Sequence, residues 1–268
     1  MREKELSLQN LIVTMGQSDF SLLEKMNVQT DALIGNQCDK NDVESYSYNG
    51  QNVTIYSFAE RGVGLNRINL LMRATADIVL FADDDVVYDD GYAETVKKAF
   101  EEHPEADVIT FNVIPLPKTI PPDLNLKWKR VRKLNCLKYG APRIAARVNK
   151  LREKNLYYSL LFGGGAKYSS GEDSLFIMAC VRSGLKVYAM PARIGTVTFE
   201  TSSWFTGYTE KYFKDKGVFF YHLSPKWSKL LCLQYCIRKR RLFKEYFTAR
   251  QAYRLMKEGI KQYKVGEY

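Results

Sequence analysis

Several features that would declare a function at once are scarce in this sequence. Histidine occurs twice in 268 residues, at His103 and His222. The five cysteines, Cys38, Cys136, Cys180, Cys232 and Cys236, are odd in number and form no Cys-x-x-Cys pair. A disulfide framework is therefore not expected, and buried thiols in a reducing compartment are. Cys232 and Cys236 lie on one helical face, but no histidine beside them makes up a zinc site. No uncharged apolar run approaches the roughly 18–20 residues of a membrane span. There is no fixed-period repeat and no low-complexity tract, and the opening MREKELSLQN has no apolar stretch of the signal-peptide kind. The expected location is the cytoplasm.

What is present argues for a folded globule. The hydrophobic share is 46%, with 18 Tyr and 14 Phe, enough for one α/β core with or without an appendage. The net charge of +10 conceals a division: residues 1–110 carry 9 Lys and Arg against 20 Asp and Glu, whereas residues 111–268 carry 31 against 10. An acidic half able to hold cations is joined to a basic half able to hold phosphates or an anionic membrane surface.

Apolar runs and turn signals alternate through the first half. LQNLIVTM (8–15), DALIGN (31–36), VTIYSF (53–58), DIVLFA (77–82) and ADVITFNVI (106–114) read as strands. SLLEKMN, LNRINLLMRAT and DGYAETVKKAFEEH read as helices between them, Ser18 or Asp19 capping the first, and QCDKNDVE as a loop. This order predicts a mostly parallel sheet flanked by helices, with ligands at the carboxyl ends of the strands. Residues 118–154 hold 12 Lys and Arg against Asp123 and Glu153, and read as a mobile basic segment outside the core. A helix from Glu172 to about Arg182 follows, with Gly184 as its stop and a strand beyond. The last forty residues read as helical, with Leu242, Tyr246, Ala249, Tyr253, Met256, Ile260 and Tyr263 forming a narrow apolar stripe.

Two stretches carry candidate chemistry. Asp83, Asp84 and Asp85 end the fourth strand, where adjacent like charges repel unless a cation, donors or water share them. A Mg²⁺ or Mn²⁺ site and a solvated turn before a helix both account for the triplet. In GGGAKYSSGED (163–173), glycines permit close backbone approach to a ligand. Glu172 and Asp173 open a helix there, where a carboxylate can accept a proton from an attacking hydroxyl or simply complement the helix dipole.

The succession VTMGQSD, IGNQCDKND, ERGVGLNRIN, VLFADDDVV and FGGGAKYSSGEDSLF resembles the GT-A fold nucleotide-sugar glycosyltransferases of family two, over about residues 8–200. The resemblance implies a Rossmann-like α/β domain over residues 1–200 and a basic, mostly helical extension over 201–268. It implies an inverting transferase of hexosyltransferase type, moving a sugar from a nucleotide diphosphate, expected to be UDP, to an acceptor hydroxyl in surface polysaccharide or glycan biosynthesis. Carried over residue by residue, Thr14 and Met15 border the nucleotide, and Asn36, Gln37, Asp39 or Asp42 reads the base. Arg67 matches the arginine of the helix before the acidic motif. Asp85 becomes the direct ligand of Mn²⁺ or Mg²⁺, Asp83 lies nearer the ribose or sugar, and Asp84 belongs to the donor site. Asp173 is the expected general base, with Glu172, Gly164 and Gly165 on the acceptor side. His222 either completes the metal site, as a late histidine does in some relatives, or is structural. Trp204 either stacks on an acceptor sugar or fills core. The chain departs from the family where the first strand ends in IVTMGQ and the second in GNQCDKND.

The acceptor is expected to be a glycan or lipid-linked molecule. WSKLLCLQYCIRKRR mixes aromatic, aliphatic and cationic residues as interfacial helices do, which suits a peripheral contact with the inner face of the cell membrane. The stripe over 242–263 either docks on the catalytic domain or pairs two subunits. Two rivals compete. A nucleotidyltransferase would need a Gly-rich basic phosphate loop after the first strand, and VTMGQSD has none. A basic nucleic-acid-binding protein would leave the acidic triplet and the GGG–GED stretch without a role, and no nucleic-acid partner is expected.

Overall fold

The computed structural model describes residues 5–116, 123–198 and 207–267. In chain order the first elements are β1 (Leu8–Met15), α1 (Ser21–Lys25), β2 (Asp31–Gln37), β3 (Asp42–Tyr48), β4 (Gln51–Phe58), α2 (Val63–Arg73) and β5 (Ile78–Asp83). There follow β6 (Val86–Tyr88), α3 (Tyr92–Glu102), β7 (Val108–Leu116), β8 (Lys129–Arg130), a 3₁₀ turn at Ala141–Arg143, β9 (Ile144–Arg147) and α4 (Val148–Glu153). The remainder is α5 (Glu172–Arg182), β10 (Val187–Thr198), α6 (Glu210–Leu223), α7 (Ser228–Arg238), α8 (Arg240–Phe243) and α9 (Ala249–Lys264).

One sheet runs β3-β4-β2-β1-β5-β9-β7-β10-β6, with β8 beside β10. The strands expected from apolar runs, β4, β2, β1 and β5, are parallel neighbours, and their carboxyl ends share one edge. Hydrophobic side chains fill both faces of this α/β sandwich. Leu11, Val13, Val79 and Phe81 point into one core, while Ile12, Ile34, Leu80 and Ala82 point into the other with α1 and α3. This two-faced burial is what near-continuous apolar strands require. Asp19 fixes the entry to α1, its carboxylate accepting from the Ser21 amide at 2.9 Å and the Ser21 hydroxyl at 2.6 Å.

Two readings of the sequence change. The polar stretch after β2 is not wholly loop, because Asp42–Tyr48 pairs antiparallel with β4 as the edge strand β3. Its side chains are mostly exposed, so it carries no apolar signature. The basic stretch 118–154 is not a mobile segment in its described part, residues 123–154. Ile144, Ala145 and Ala146 are fully buried in β9, which runs antiparallel between β5 and β7 in mid-sheet. Cations are tolerated here because their heads find carbonyls: Arg147 donates to Ala106 O at 3.0 Å and Phe100 O at 2.9 Å, and Arg152 to Ala74 O at 2.7 Å.

The C-terminal helices join the first of these cores rather than standing apart, with Phe213, Val218, Cys232, Cys236, Phe243, Met256 and Ile260 buried in it. Two glycines set how closely α6 and α9 cross. A Cβ on Gly217 would lie 2.1 Å from Met256 O, and one on Gly259 2.4 Å from Lys214 O. The expected stripe divides at this point: Ala249, Tyr253, Met256, Ile260 and Tyr263 pack inward, while Leu242 and Tyr246 are exposed. A capping box between Thr248 and Gln251 starts α9. The five cysteines are free thiols, and Cys136, Cys180, Cys232 and Cys236 are buried. No helix among the described residues is long and apolar enough to cross a membrane.

Candidate active site

The site is assembled around one buried cation. Arg67, on α2, is 2% exposed, and its guanidinium donates to Asp83 Oδ1 at 2.5 Å and to Asp173 Oδ1 at 3.0 Å, with Glu172 Oε1 at 3.6 Å. The Tyr158 ring lies under it, 4.9 Å from ring centre to guanidinium carbon, and stacks in turn on Phe176. The sequence places these acids ninety residues apart; the guanidinium fork holds them together. Burial alone would make Arg67 easier to deprotonate, but Asp83 and Asp173 carry its pKa well above the ordinary value.

The three adjacent aspartates do different things. Asp83 goes to Arg67. Asp84 accepts a 2.6 Å hydrogen bond from Thr14 Oγ1 at the end of β1. Asp85 is left with a buried carboxylate oxygen, Oδ1, that has no partner among the described residues. Desolvation, with the charges of Asp83 and Asp84, pushes its pKa up to about 6. An anion in this condition gains most from a cation, and its oxygen chemistry suits a hard divalent ion. Among the described residues no three His, Cys, Asp or Glu side chains gather into a ready-made metal cage. A cation here would therefore lean on Asp85, with Asp83 alongside, and on ligands from a substrate.

Asp173 has the opposite surroundings. At the first turn of α5 its Oδ2 accepts the Ala141 amide at 3.0 Å, while Oδ1 faces Arg67. Desolvation raises its pKa, to about 7, against the pull of Arg67. Such a carboxyl titrates near neutrality and, once ionised, is basic enough to take a proton. Glu172 turns back to accept from the Gly171 amide at 3.0 Å, so it shapes the turn beside Asp173.

The glycine loop closes the site from the side. Val63 N donates to Gly164 O at 2.8 Å. Gly165 has a φ of +74°, and a Cβ on it would stand 2.9 Å from the Gly62 amide nitrogen, so the loop can press against the start of α2 only as glycine. Gly62 N in turn donates to Gln37 Oε1 at 2.7 Å. Asn36 pins the loop after β1, accepting from Gln17 N at 2.9 Å and donating to Gln17 O at 2.7 Å. Asn36 and Gln37 thus brace the loops, leaving Asp39 as the more exposed of the two acids in that stretch, its carboxylate 3.1 Å from Arg61. Asp42 is paired with Lys40 at 2.8 Å on the edge strand, and Met15 is exposed beside Thr14.

His222 lies among rings, 4.9 Å from Tyr263 and 5.1 Å from Phe162 between centroids, and burial lowers its pKa. Its Nε2 is buried without a hydrogen-bond partner among the described residues. His103 stacks on Trp128 at 3.7 Å. Trp204 lies outside the described residues. Tyr158 and the Ala141 amide are invisible to sequence reading, since an aromatic in an apolar run and a backbone N–H carry no distinguishing pattern.

Comparison with known proteins bears on the fold that carries these residues. Residues 40–159 match the family described as Glycosyl transferase family 2. No curated protein matches the chain in sequence. Among solved structures, S. aureus TarS 1-349 in complex with UDP-GlcNAc superposes with a TM-score of 0.63 at 13% identity, over 98% of this chain and 93% of that one. The complex of TarS 1-349 with UDP gives 0.61 at 14% identity over the same shares. A longer S. aureus TarS gives 0.57 at 16% identity, over 80% of this chain and 39% of that one. The family match spans the sheet edge that carries the acidic turn, and the fold is the GT-A fold that TarS has; over residues 40–159 the chain is similar to the family 2 glycosyl transferases.

Proposed function

We propose that the protein moves one sugar from a UDP-sugar to an acceptor hydroxyl with inversion, as a step in surface polysaccharide or glycan synthesis. The observation that carries the reading is the single guanidinium of Arg67 shared by Asp83 and Asp173. It sets an acidic turn suited to a diphosphate and its counter-cation beside a carboxylate suited to proton abstraction. The binding of UDP-GlcNAc by TarS, a protein of the same fold, supports a uridine donor.

In this mechanism Thr14 and Met15 border the nucleotide and Asp39 reads its base, because Asp39 is exposed where Asn36 and Gln37 are already bonded. Mn²⁺ or Mg²⁺ fits Asp85, on the ground of its unpartnered buried oxygen, and when bound would offset the charge of the departing diphosphate. Asp173 takes the proton of the acceptor hydroxyl as its oxygen attacks the anomeric carbon, and the sugar–phosphate bond breaks on the opposite face. One displacement of this kind inverts the configuration. Arg67 keeps Asp173 oriented and favours its ionised form against desolvation, while the Ala141 amide fixes its second oxygen.

The test is a panel of nucleotide sugars assayed with and without Mn²⁺ for binding, donor hydrolysis and transfer, comparing wild type with Asp85→Ala and Asp173→Asn. The expected pattern is loss of Mn²⁺-dependent donor binding in the first variant. In the second, binding is kept and transfer is lost. Normal transfer by both variants would overturn the assignment.

A further inference from the structure

A cleft of about 1690 Å³ opens beside Asp173, between residues 124–140 on one side and α6 and α7 on the other. Glu172 and Asp173 form its foot, and Asp83–Asp85 do not line it, so it approaches the proposed base from the side away from the acidic turn. Its walls carry eight Lys and Arg side chains against those two carboxylates. Lys127, Lys133, Arg238 and Lys239 make no ion pair among the described residues, whereas Lys138 is held by Asp123 at 2.6 Å. A cleft whose walls carry cations with no ion pair among the described residues is a site for an anion.

The mouth of the cleft has a second character. Leu126 is 85% exposed, Leu134 102%, Trp227 55% and Leu230 55%, all of them lining residues. Helix α7 faces inward with Ser228, Cys232 and Cys236, while Leu230, Leu233 and Ile237 form an exposed stripe at the helical spacing of three and four. Lys226, Lys229, Arg240, Arg241 and Lys244 flank that stripe, with no acid from 226 to 244. Scattered surface leucines are ordinary, but an apolar rim on both lips of a basic cleft is the composition of an interfacial surface.

We infer that the lips of this cleft dock on an anionic lipid surface, so that the cleft opens onto the bilayer plane and Asp173 meets an acceptor carried in that membrane. Charge complementarity selects an anionic surface, and the exposed leucines and Trp227 select lipid over a soluble polyanion. The role given to the acceptor rests on the reading of Asp173 as the base. The docking itself does not.

Full-length protein is mixed with vesicles of phosphatidylcholine alone or with phosphatidylglycerol, some carrying brominated acyl chains. Co-sedimentation and tryptophan emission are then read. Binding to the anionic vesicles alone is expected, with brominated lipid quenching an emission component that Trp227→Phe removes. A Leu134→Ser/Trp227→Ser/Leu230→Ser variant is expected to partition at least tenfold less, and a Lys133→Glu/Arg238→Glu/Lys239→Glu variant likewise, both keeping wild-type UDP binding as proof of fold. No anionic-vesicle binding, unchanged partition of the serine variant, or full competition by soluble polyphosphate would overturn the inference. So would docking without quenching of Trp227. If UDP-sugar binding or Asp173-dependent transfer fails while docking holds, the transferase mechanism falls and the lipid surface stands.

Discussion

The carboxylates at Asp85 and Asp173 are the same chemical group at two ends of one site, and their neighbours make them opposites. Asp173 has a guanidinium and a backbone amide, one for each oxygen. Asp85 has a buried oxygen with no donor and two aspartates next to it. Both have a raised pKa, chiefly from desolvation. The first is poised to exchange a proton, and the second is short of positive charge. In the proposed mechanism the count of donors aimed at each carboxylate is what sorts the two into base and cation ligand.

The strongest attempt to break this comparison is Asp173→Asn, which keeps the shape and removes the proposed base. Transfer should fall by about 10²–10⁴-fold, the usual contribution of a positioned base, with donor binding unchanged. In the wild type the rate should rise with pH through about 7, because the ionised form of Asp173 accepts the proton and its pKa is raised to that region. A pH–rate profile of kcat/KM checks the limb, and a flat profile from pH 5 to 8 would remove Asp173 from this role. Arg67→Met cuts the link between the two acids. Leaving Asp83 and Asp173 without their cation should cost about 3–5 kcal/mol of stability, as broken buried pairs do, measured by urea unfolding. Asp85→Asn should do the reverse of harm to the metal-free protein, whose melting temperature should hold or rise because an uncompensated charge is gone. The stabilisation of the wild type by Mn²⁺, about 2.7 kcal/mol at a hundred times Kd, should vanish in the variant. The smallest effect is at Asp39, exposed and paired only with Arg61. Asp39→Ala should weaken UDP binding by less than about 1 kcal/mol, in keeping with other solvent-exposed charge contacts, read by calorimetry.

A second contrast separates what the chain announces from what it hides. The apolar runs of β1, β2 and β5 were legible because a strand buried on both faces is largely apolar, β4 because its alternate residues Val53, Ile55 and Ser57 turn inward, and the helix from Glu172 to Arg182 because its acids, period and stop all agree. The strand β9 was not, since IAAR is short and lies in a stretch dense with Lys and Arg whose heads reach carbonyls only once the fold exists. The edge strand β3 escaped for the converse reason, being polar on an exposed rim.

Within the site, the residue types and their order came from the sequence: an acidic turn closing a strand, a glycine loop, an acidic helix start. Local chemistry is enough for these, because turns, caps and runs are set by near neighbours. That Arg67 binds Asp83 and Asp173 at once, that Asp84 turns to Thr14 while Asp85 is left wanting, and that a basic cleft with apolar lips ends at Asp173 were decided only by tertiary structure. Each depends on which side chains meet across the sheet edge, and desolvation, the largest influence on both carboxyls, does not exist until the chain has closed around them.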